Sequence, residues 1–246
     1  MAANPTHGAA DAPTPRTALR SALLEAHGFS HGFSLAPLDF RKLAAADVSL
    51  RALAADVGVD PARIFQASQV HGARVVYAEG DRDALLREEA DAVVGRERGV
   101  TVGVRVADCT PVLAANVETG HVVAIHAGWR GVVAGVVRAG IEPLEPRGEI
   151  IAAIGPSIGV CCFEVGDDVA AQIAEACGDA SVVVRGRGPR PFVDMRRAVR
   201  AQLAAAGVVR VEDVEGCTKC GGERFHSHRR DADRAGRHLM LIQVRG

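Results

Sequence analysis

Val100-Thr101-Val102-Gly103-Val104-Arg105-Val106, Pro111-Val112-Leu113-Ala114 and His121-Val122-Val123-Ala124-Ile125 follow one another with no helical period between them. Short β-branched runs bounded by turn residues read as strands. Upstream, Arg74-Val75-Val76-Tyr77 and Asp91-Ala92-Val93-Val94 belong to the same series, and residues 149–154, 181–185 and 238–245 extend it downstream. Helical periods cover residues 130–144, 166–177 and 194–206, the last opened by Asp194 as N-cap and stopped by Gly207. Clustered strands followed by helices predict an α/β fold: a single layered domain of mixed β-sheets covered by helices, without the strict alternation of a doubly wound sheet.

The 246 residues are 48% hydrophobic and 24% charged, enough apolar side chains to offset the ordering entropy of one core. Residues 1–17, rich in Ala, Pro and Thr with nothing to bury, are expected to be a flexible tail, and residues 18–246 the single domain. Twenty-nine basic against thirty acidic residues leave a net charge of -1, which removes the bulk positive field that nucleic-acid binding draws on. No run reaches the ~18 apolar residues of a membrane span, and residues 1–20 lack the apolar centre of a signal peptide. The expectation is a cytoplasmic protein with no membrane partner, a monomer being favoured. Six cysteines in a domain of this size read as thiols or metal ligands, not as a disulfide framework.

Three stretches place reactive side chains at strand ends. Gln69-Val70-His71-Gly72 is a polar turn just before a strand, and Val106-Ala107-Asp108-Cys109-Thr110-Pro111 runs a strand into an acid and a thiol. In Ala124-Ile125-His126-Ala127-Gly128-Trp129-Arg130-Gly131 a strand ends at a histidine and a Gly-rich turn opens a helix. Two imidazoles and a thiolate suit a tetrahedral zinc with its fourth position open, the pattern of a catalytic site. Spacing alone leaves an equal alternative, in which Cys109 is a small core residue and the histidines are unrelated.

Together with Ile154-Gly155-Pro156-Ser157-Ile158-Gly159, Cys162-Phe163-Glu164-Val165-Gly166 and Ser227-His228-Arg229-Arg230-Asp231, these strings occur in the order of the laccase-domain, or polyphenol-oxidase-like, family. The sequence resembles that family, which includes the peptidoglycan editing factor and is regarded as purine nucleoside phosphorylases with adenosine deaminase activity, over residues 64–244. The resemblance implies a zinc held by His71, Cys109 and His126, and a layered fold similar to the cytotoxic-factor-like cysteine hydrolases. It implies purine nucleoside and phosphate as substrates, with phosphorolysis of adenosine, inosine or methylthioadenosine. It also implies adenosine deamination, in which zinc acidifies a water for attack on C6. Arg130, beside His126, is the expected phosphate contact, with Arg229 and Arg230 behind it, and Asp108 and Glu164 are the expected acid/base groups. The sequence departs from the family at residues 35–40, which follow His31-Gly32-Phe33-Ser34 without the family's usual arginine and paired glycines.

Rival readings remain. Cys109 is a possible nucleophile with His126 as its base, in a thiol hydrolase or amidase. A catalytically weakened metal-binding protein of peptidoglycan quality control is the non-enzyme alternative. Copper is disfavoured, because multicopper chemistry needs more paired histidines than nine scattered ones provide. Cys161, Cys162 and Cys177 are expected to be packing residues. Cys217-Thr218-Lys219-Cys220 with His226 and His228 has the ligand types of a second zinc site, but a spacing too compressed for a finger. Gly95, Gly99 and Gly103 form no dinucleotide fingerprint, and no Walker-type lysine loop is present.

Overall fold

The computed structural model describes residues 16–41, 48–144 and 148–245. In chain order the elements are β1 (Ala18–Leu19), α1 (Ala22–Ala26), β2 (His31–Ser34), α2 (Val48–Val57), β3 (Ile64–Phe65), β4 (Val75–Tyr77) and α3 (Arg82–Leu85). They continue with β5 (Ala92–Gly95), β6 (Thr101–Val106), β7 (Thr110–Asn116), β8 (Val122–Ala127), α4 (Trp129–Val133), α5 (Val136–Ile141) and β9 (Ile150–Ile154). The last third holds α6 (Asp167–Cys177), β10 (Val183–Val184), β11 (Phe192–Val193), α7 (Met195–Ala205), β12 (Arg210–Asp213), α8 (His228–Asp231) and β13 (His238–Gln243).

Two mixed sheets carry the fold. One has six strands in the order β12-β9-β7-β8-β5-β4, the other five in the order β1-β2-β13-β6-β3, and β10 and β11 form a separate two-stranded ribbon. Successive side chains of a strand face opposite ways, and both faces are covered, so the central strands are apolar throughout. In β7, Val112 and Ala114 pack on the helical side with Val136, Ile173 and Leu203, whereas Leu113 and Ala115 face the second sheet with Phe33, Val102 and Met240. In β13, Met240 and Ile242 join that inter-sheet layer, while Leu239 and Leu241 turn outward against Leu50 and Leu53 of α2. The result is four layers: α2, the five-stranded sheet, the six-stranded sheet, and α4 to α7.

The helix expected over residues 130–144 is broken. α4 stops at Val133 and α5 begins at Val136, because Gly135 between them takes a left-handed φ of 84°. The expected strand over 181–185 shrinks to the two residues of β10 behind a short helical turn, Ala180–Val182. Asp194 caps α7 as expected, its carboxylate accepting the Arg197 N–H at 3.0 Å. Of the expected tail, residues 1–15 lie outside the described residues, and Thr17 is tied down, its N–H and Oγ1 both donating to Asp56. No helix among the described residues is long and apolar enough to cross a membrane.

Candidate active site

The turn between β6 and β7 carries Ala107, Asp108 and Cys109, and Pro111 of β7 pairs with His126 of β8, so the register of two neighbouring strands sets Cys109 beside His126. His71 comes from the turn before β4. The three ligand atoms lie within 4.8 Å of one another, with His71 Nε2 3.8 Å from Cys109 Sγ and the two imidazole rings edge to face. Two of the turns that bring these groups together hold non-glycine residues in the left-handed region, His71 at φ 62° and Asp108 at φ 89°. Such conformations cost about 1–3 kcal/mol each and persist only where the surroundings enforce them.

Asp91 does much of that enforcing. It is fully buried just before β5, and its carboxylate accepts the N–H groups of Val70, His71 and Gly72 at 3.2, 2.9 and 2.7 Å. The same carboxylate accepts the Nδ1–H of His126 at 2.7 Å, which fixes the imidazole tautomer and leaves Nε2 for the cleft. Burial pushes the Asp91 carboxyl up, but the His126 and backbone hydrogen bonds outweigh it and hold it below the usual range. Gly128 completes the cradle, since a Cβ there would stand 2.8 Å from His71 Cδ2 and 3.2 Å from Cys109 Sγ.

Burial also pushes the Cys109 thiol up, and the adjacent His126 and His71 reverse it, bringing the thiol down to about 6. His126 moves the other way. Burial lowers it, but the Cys109 sulfur and the Asp91 carboxylate together raise it to about 9. The two shifts share one cause, the contact of the thiol with the imidazole, which favours the charged form of each. Two imidazoles and one thiolate oriented by a buried carboxylate fit a resident metal ion.

The three residues line a cleft of about 500 Å³ that is also lined by Ser68, Gln69, Arg105, Asp108, Phe163, His228, Arg229 and Arg237. Gln69 and Arg105 exchange hydrogen bonds at 2.7 Å, Gln69 Nε2 donating to the Arg105 carbonyl and the Arg105 N–H to Gln69 Oε1, which anchors the His71 turn to β6. Arg105 has a buried Nε with no partner among the described residues, and burial followed by the neighbouring Arg237 lowers its pKa. Asp108 accepts from Thr218 Oγ1 at 2.5 Å and from the Arg229 N–H at 2.6 Å, so both carboxylate oxygens are engaged.

Of the arginines expected to bind substrate, only Arg229 lines the cleft. Arg130 is exposed and lies over the Trp129 ring, 4.6 Å from its centre. Arg230 is consumed by the chain itself, donating to the carbonyls of Thr218, Lys219, Gly222 and Phe225 and pairing with Asp231 at 2.8 Å. Glu164 is not a lining residue either; its carbonyl accepts from Arg229 NH1, while its carboxylate lies toward Gly188. Asp91, Arg105 and Arg237 are the residues that sequence reasoning passed over, and His228, weighed there only as a ligand of a second zinc, lines the cleft. A lone arginine between Val104 and Val106, in an otherwise apolar strand, is the signal that marks Arg105.

Residues 35–40, where the sequence departs from the laccase-domain pattern, run along this wall. Leu38 O accepts from His226 Nε2, the Phe40 N–H donates to Arg237 O, and Asp39 accepts the Arg237 N–H at 3.0 Å. The departing stretch thus supports the backbone of Arg237.

Comparison with known proteins places this architecture. The chain is 40% identical over 189 residues to a purine nucleoside phosphorylase of Streptomyces coelicolor, covering 74% of this chain and 76% of that one. It is 36% identical over 200 residues to adenosine deaminase RL5 of an unknown prokaryotic organism, covering 75% and 76%. The crystal structure of YlmD from Geobacillus stearothermophilus superposes with a TM-score of 0.76 at 27% identity, over 94% of this chain and 100% of that one. Neisseria meningitidis protein NMB0706 superposes with a TM-score of 0.71 at 30% identity, over 89% and 92%. A family model described as multi-copper polyphenol oxidoreductase laccase matches residues 42–245, and with so much of its length inside that match the chain belongs to this laccase-like family.

Proposed function

We propose that the chain is a zinc-dependent purine nucleoside enzyme, which phosphorolyses adenosine, inosine and methylthioadenosine and deaminates adenosine. The observation that carries this reading is the convergence of His71, Cys109 and His126 in the wall of a cleft of nucleoside size. The names of the similar proteins, purine nucleoside phosphorylase and adenosine deaminase, support the substrate class. The family description speaks of several copper ions, yet among the described residues only one other group of three or more ligand side chains converges, and it is all cysteine. Paired imidazoles for a multi-copper centre are lacking there, and zinc is the better fit to two imidazoles and a thiolate.

When bound, the metal supplies Lewis acidity that activates a water near neutral pH. The chain's own residues do the rest. Asp91 holds His126 in one tautomer and ties down the His71 turn. Arg105, Arg229 and Arg237 concentrate positive charge along one wall, where an incoming phosphate is held for attack on the anomeric carbon as the bond to the purine breaks. Phe163, Val106 and Ile158 offer apolar surface to the purine. Apart from the metal ligands and arginines, Asp108 and His228 are the titratable side chains lining the cleft. With both Asp108 oxygens engaged by Thr218 and Arg229, His228 is left to carry a proton to the departing base.

The order Asp91–His126–Cys109, with the thiol drawn down to about 6, also supports a second reading, a thiol hydrolase with the cytotoxic-factor-like cysteine hydrolase fold. One experiment separates the two. Zinc-loaded protein is expected to convert adenosine to inosine without phosphate and to release purine from inosine only with phosphate. His71→Ala should lose both reactions together. Unchanged nucleoside turnover in His71→Ala would exclude the zinc reading and direct attention to Cys109 as a covalent nucleophile, which has no need of His71.

A further inference from the structure

Beyond the cleft, β9 leads into residues 155–166 and β12 leads into residues 214–227, and the two loops are stitched side by side. Ser157 and Cys217 form an isolated parallel bridge, in which the Ser157 N–H donates to Gly216 O at 3.2 Å and the Thr218 N–H to Ser157 O at 3.0 Å. Along this seam Cys161, Cys162, Cys217 and Cys220 converge, their four Sγ atoms all within 4.8 Å of one another. Cys161 and Cys162, expected to be packing residues, thus stand with Cys217 and Cys220, and the two histidines weighed beside that pair are not part of the group. His226 is committed to Leu38 O, and His228 lines the cleft.

Consecutive cysteines point to opposite sides in a strand, but Cys161 and Cys162 sit in a turn where the N–H groups of Cys162 and Phe163 both donate to Gly159 O, and this folds the two thiols toward the same point. Gly159 keeps the space open, because a Cβ there would stand 3.1 Å from Cys161 Sγ and 3.3 Å from Cys217 Cβ. Its N–H donates to Cys217 Sγ at 3.2 Å, the kind of outer hydrogen bond that stabilises a ligating thiolate. The separation of Cys161 Sγ from Cys220 Sγ is 3.6 Å. Four zinc–sulfur bonds of about 2.3 Å in a tetrahedron place their sulfurs about 3.8 Å apart, whereas a disulfide brings them to about 2.05 Å. The 3.6 Å of this pair is close to that ligand spacing and far from a disulfide, and all four sulfurs fall within 4.8 Å of one another.

We propose that Cys161, Cys162, Cys217 and Cys220 form a second metal site, a closed four-thiolate site for a structural zinc ion. Four protein sulfurs fill the tetrahedron and leave no position for water or substrate, so the ion serves the fold and not the reaction. Its consequence for the cleft is direct. The residues next to the four cysteines include Phe163, which lines the cleft, and Thr218, which holds Asp108; Ile158 also donates its N–H to Asp108 O at 2.9 Å. A zinc ion at the seam fastens the two loops that together position this wall.

The test uses the intact chain with His71→Ala, which weakens the first site and leaves the four cysteines untouched. Purified without chelators, it is expected to retain one zinc per chain, and X-ray absorption at the zinc edge should find a shell of sulfur alone. Replacing that zinc by cobalt should give the intense sulfur-to-cobalt charge-transfer bands of a four-thiolate site, and Cys220→Ser in the same background should lose them along with most of the affinity. If Cys220→Ser fails to fold, the zinc content and sulfur shell of the single variant still decide. Absence of zinc from folded His71→Ala protein, a Cys161–Cys220 disulfide in its place, or iron in the all-sulfur shell would each overturn the assignment. None of these readouts depends on nucleoside turnover.

Discussion

Arg105 and Arg130 show how one side-chain type takes opposite roles by position. Arg130 follows His126 closely in sequence but is spent on the face of Trp129 in solvent, where a cation–π contact is worth about 0.5–1 kcal/mol. Arg105 lies on β6 in the other sheet, with a buried Nε that no group among the described residues satisfies and with Arg237 for a neighbour. Two guanidinium groups share a wall at a cost in mutual repulsion, and an anion between them relieves it. Arg105→Met is accordingly expected to raise the KM for phosphate at least tenfold while adenosine deamination, which uses no phosphate, changes little. Arg130→Ala should leave both within about twofold, loss of one exposed stacking contact being small. Initial rates over a phosphate series measure the first, and an unaltered phosphate KM in Arg105→Met would remove that residue from the anion site.

Among the elements, those that span several buried residues with β-branched side chains were legible in the sequence. β5 to β9 and β13 announce themselves by apolar runs, and the reactive residues at their ends, His126 and Cys109, come with them. β1 and β3, two residues each, are too short to show a period, and their pairing is imposed by β2 and β6. Asp91 was legible only as the first residue of a strand, because nothing local records that three N–H groups and an imidazole close around it. Cys161 and Cys162 read as packing residues, because nothing local in the sequence records that the turn closed on the Gly159 carbonyl brings both thiols to Cys217 and Cys220. The break between α4 and α5 comes from a glycine whose φ of 84° ends one helix and starts the next. A Cβ at Gly135 meets nothing within 4 Å, so Gly135→Ala tests backbone conformation without a clash. It is expected to destabilise the protein by about 1 kcal/mol, seen as a fall in Tm of about 2–4 °C.

For the whole molecule, acid should be the weak side of the stability profile, and His238 is one reason. It is fully buried at the start of β13, accepts the His226 N–H on Nε2 at 2.7 Å, and is pushed down to about 3 first by burial and then by the nearby His226. A histidine held neutral when folded, with an unfolded value near ~6.5, contributes full stability above that value and loses it as pH falls toward about 3, by about 1.4 kcal/mol for each pH unit. Burial lowers His31 in the same direction. Urea midpoints measured from pH 7 to pH 5 should therefore fall, and His238→Gln, which keeps an acceptor but no titratable ring, should flatten that fall. An equally steep decline in the variant would assign the acid sensitivity elsewhere. The place of β13 carries one more consequence, for the order in which the protein assembles during synthesis. Met240 pairs with Phe33 on one side and Val104 on the other, so the middle strand of the five-stranded sheet is synthesised after both of the strands it joins. The sheet that carries His126 needs nothing beyond β9 for its central strand pairings, but β2 and β6 must wait with open edges, and a nascent chain stalled before residue 238 is the form most in need of a chaperone.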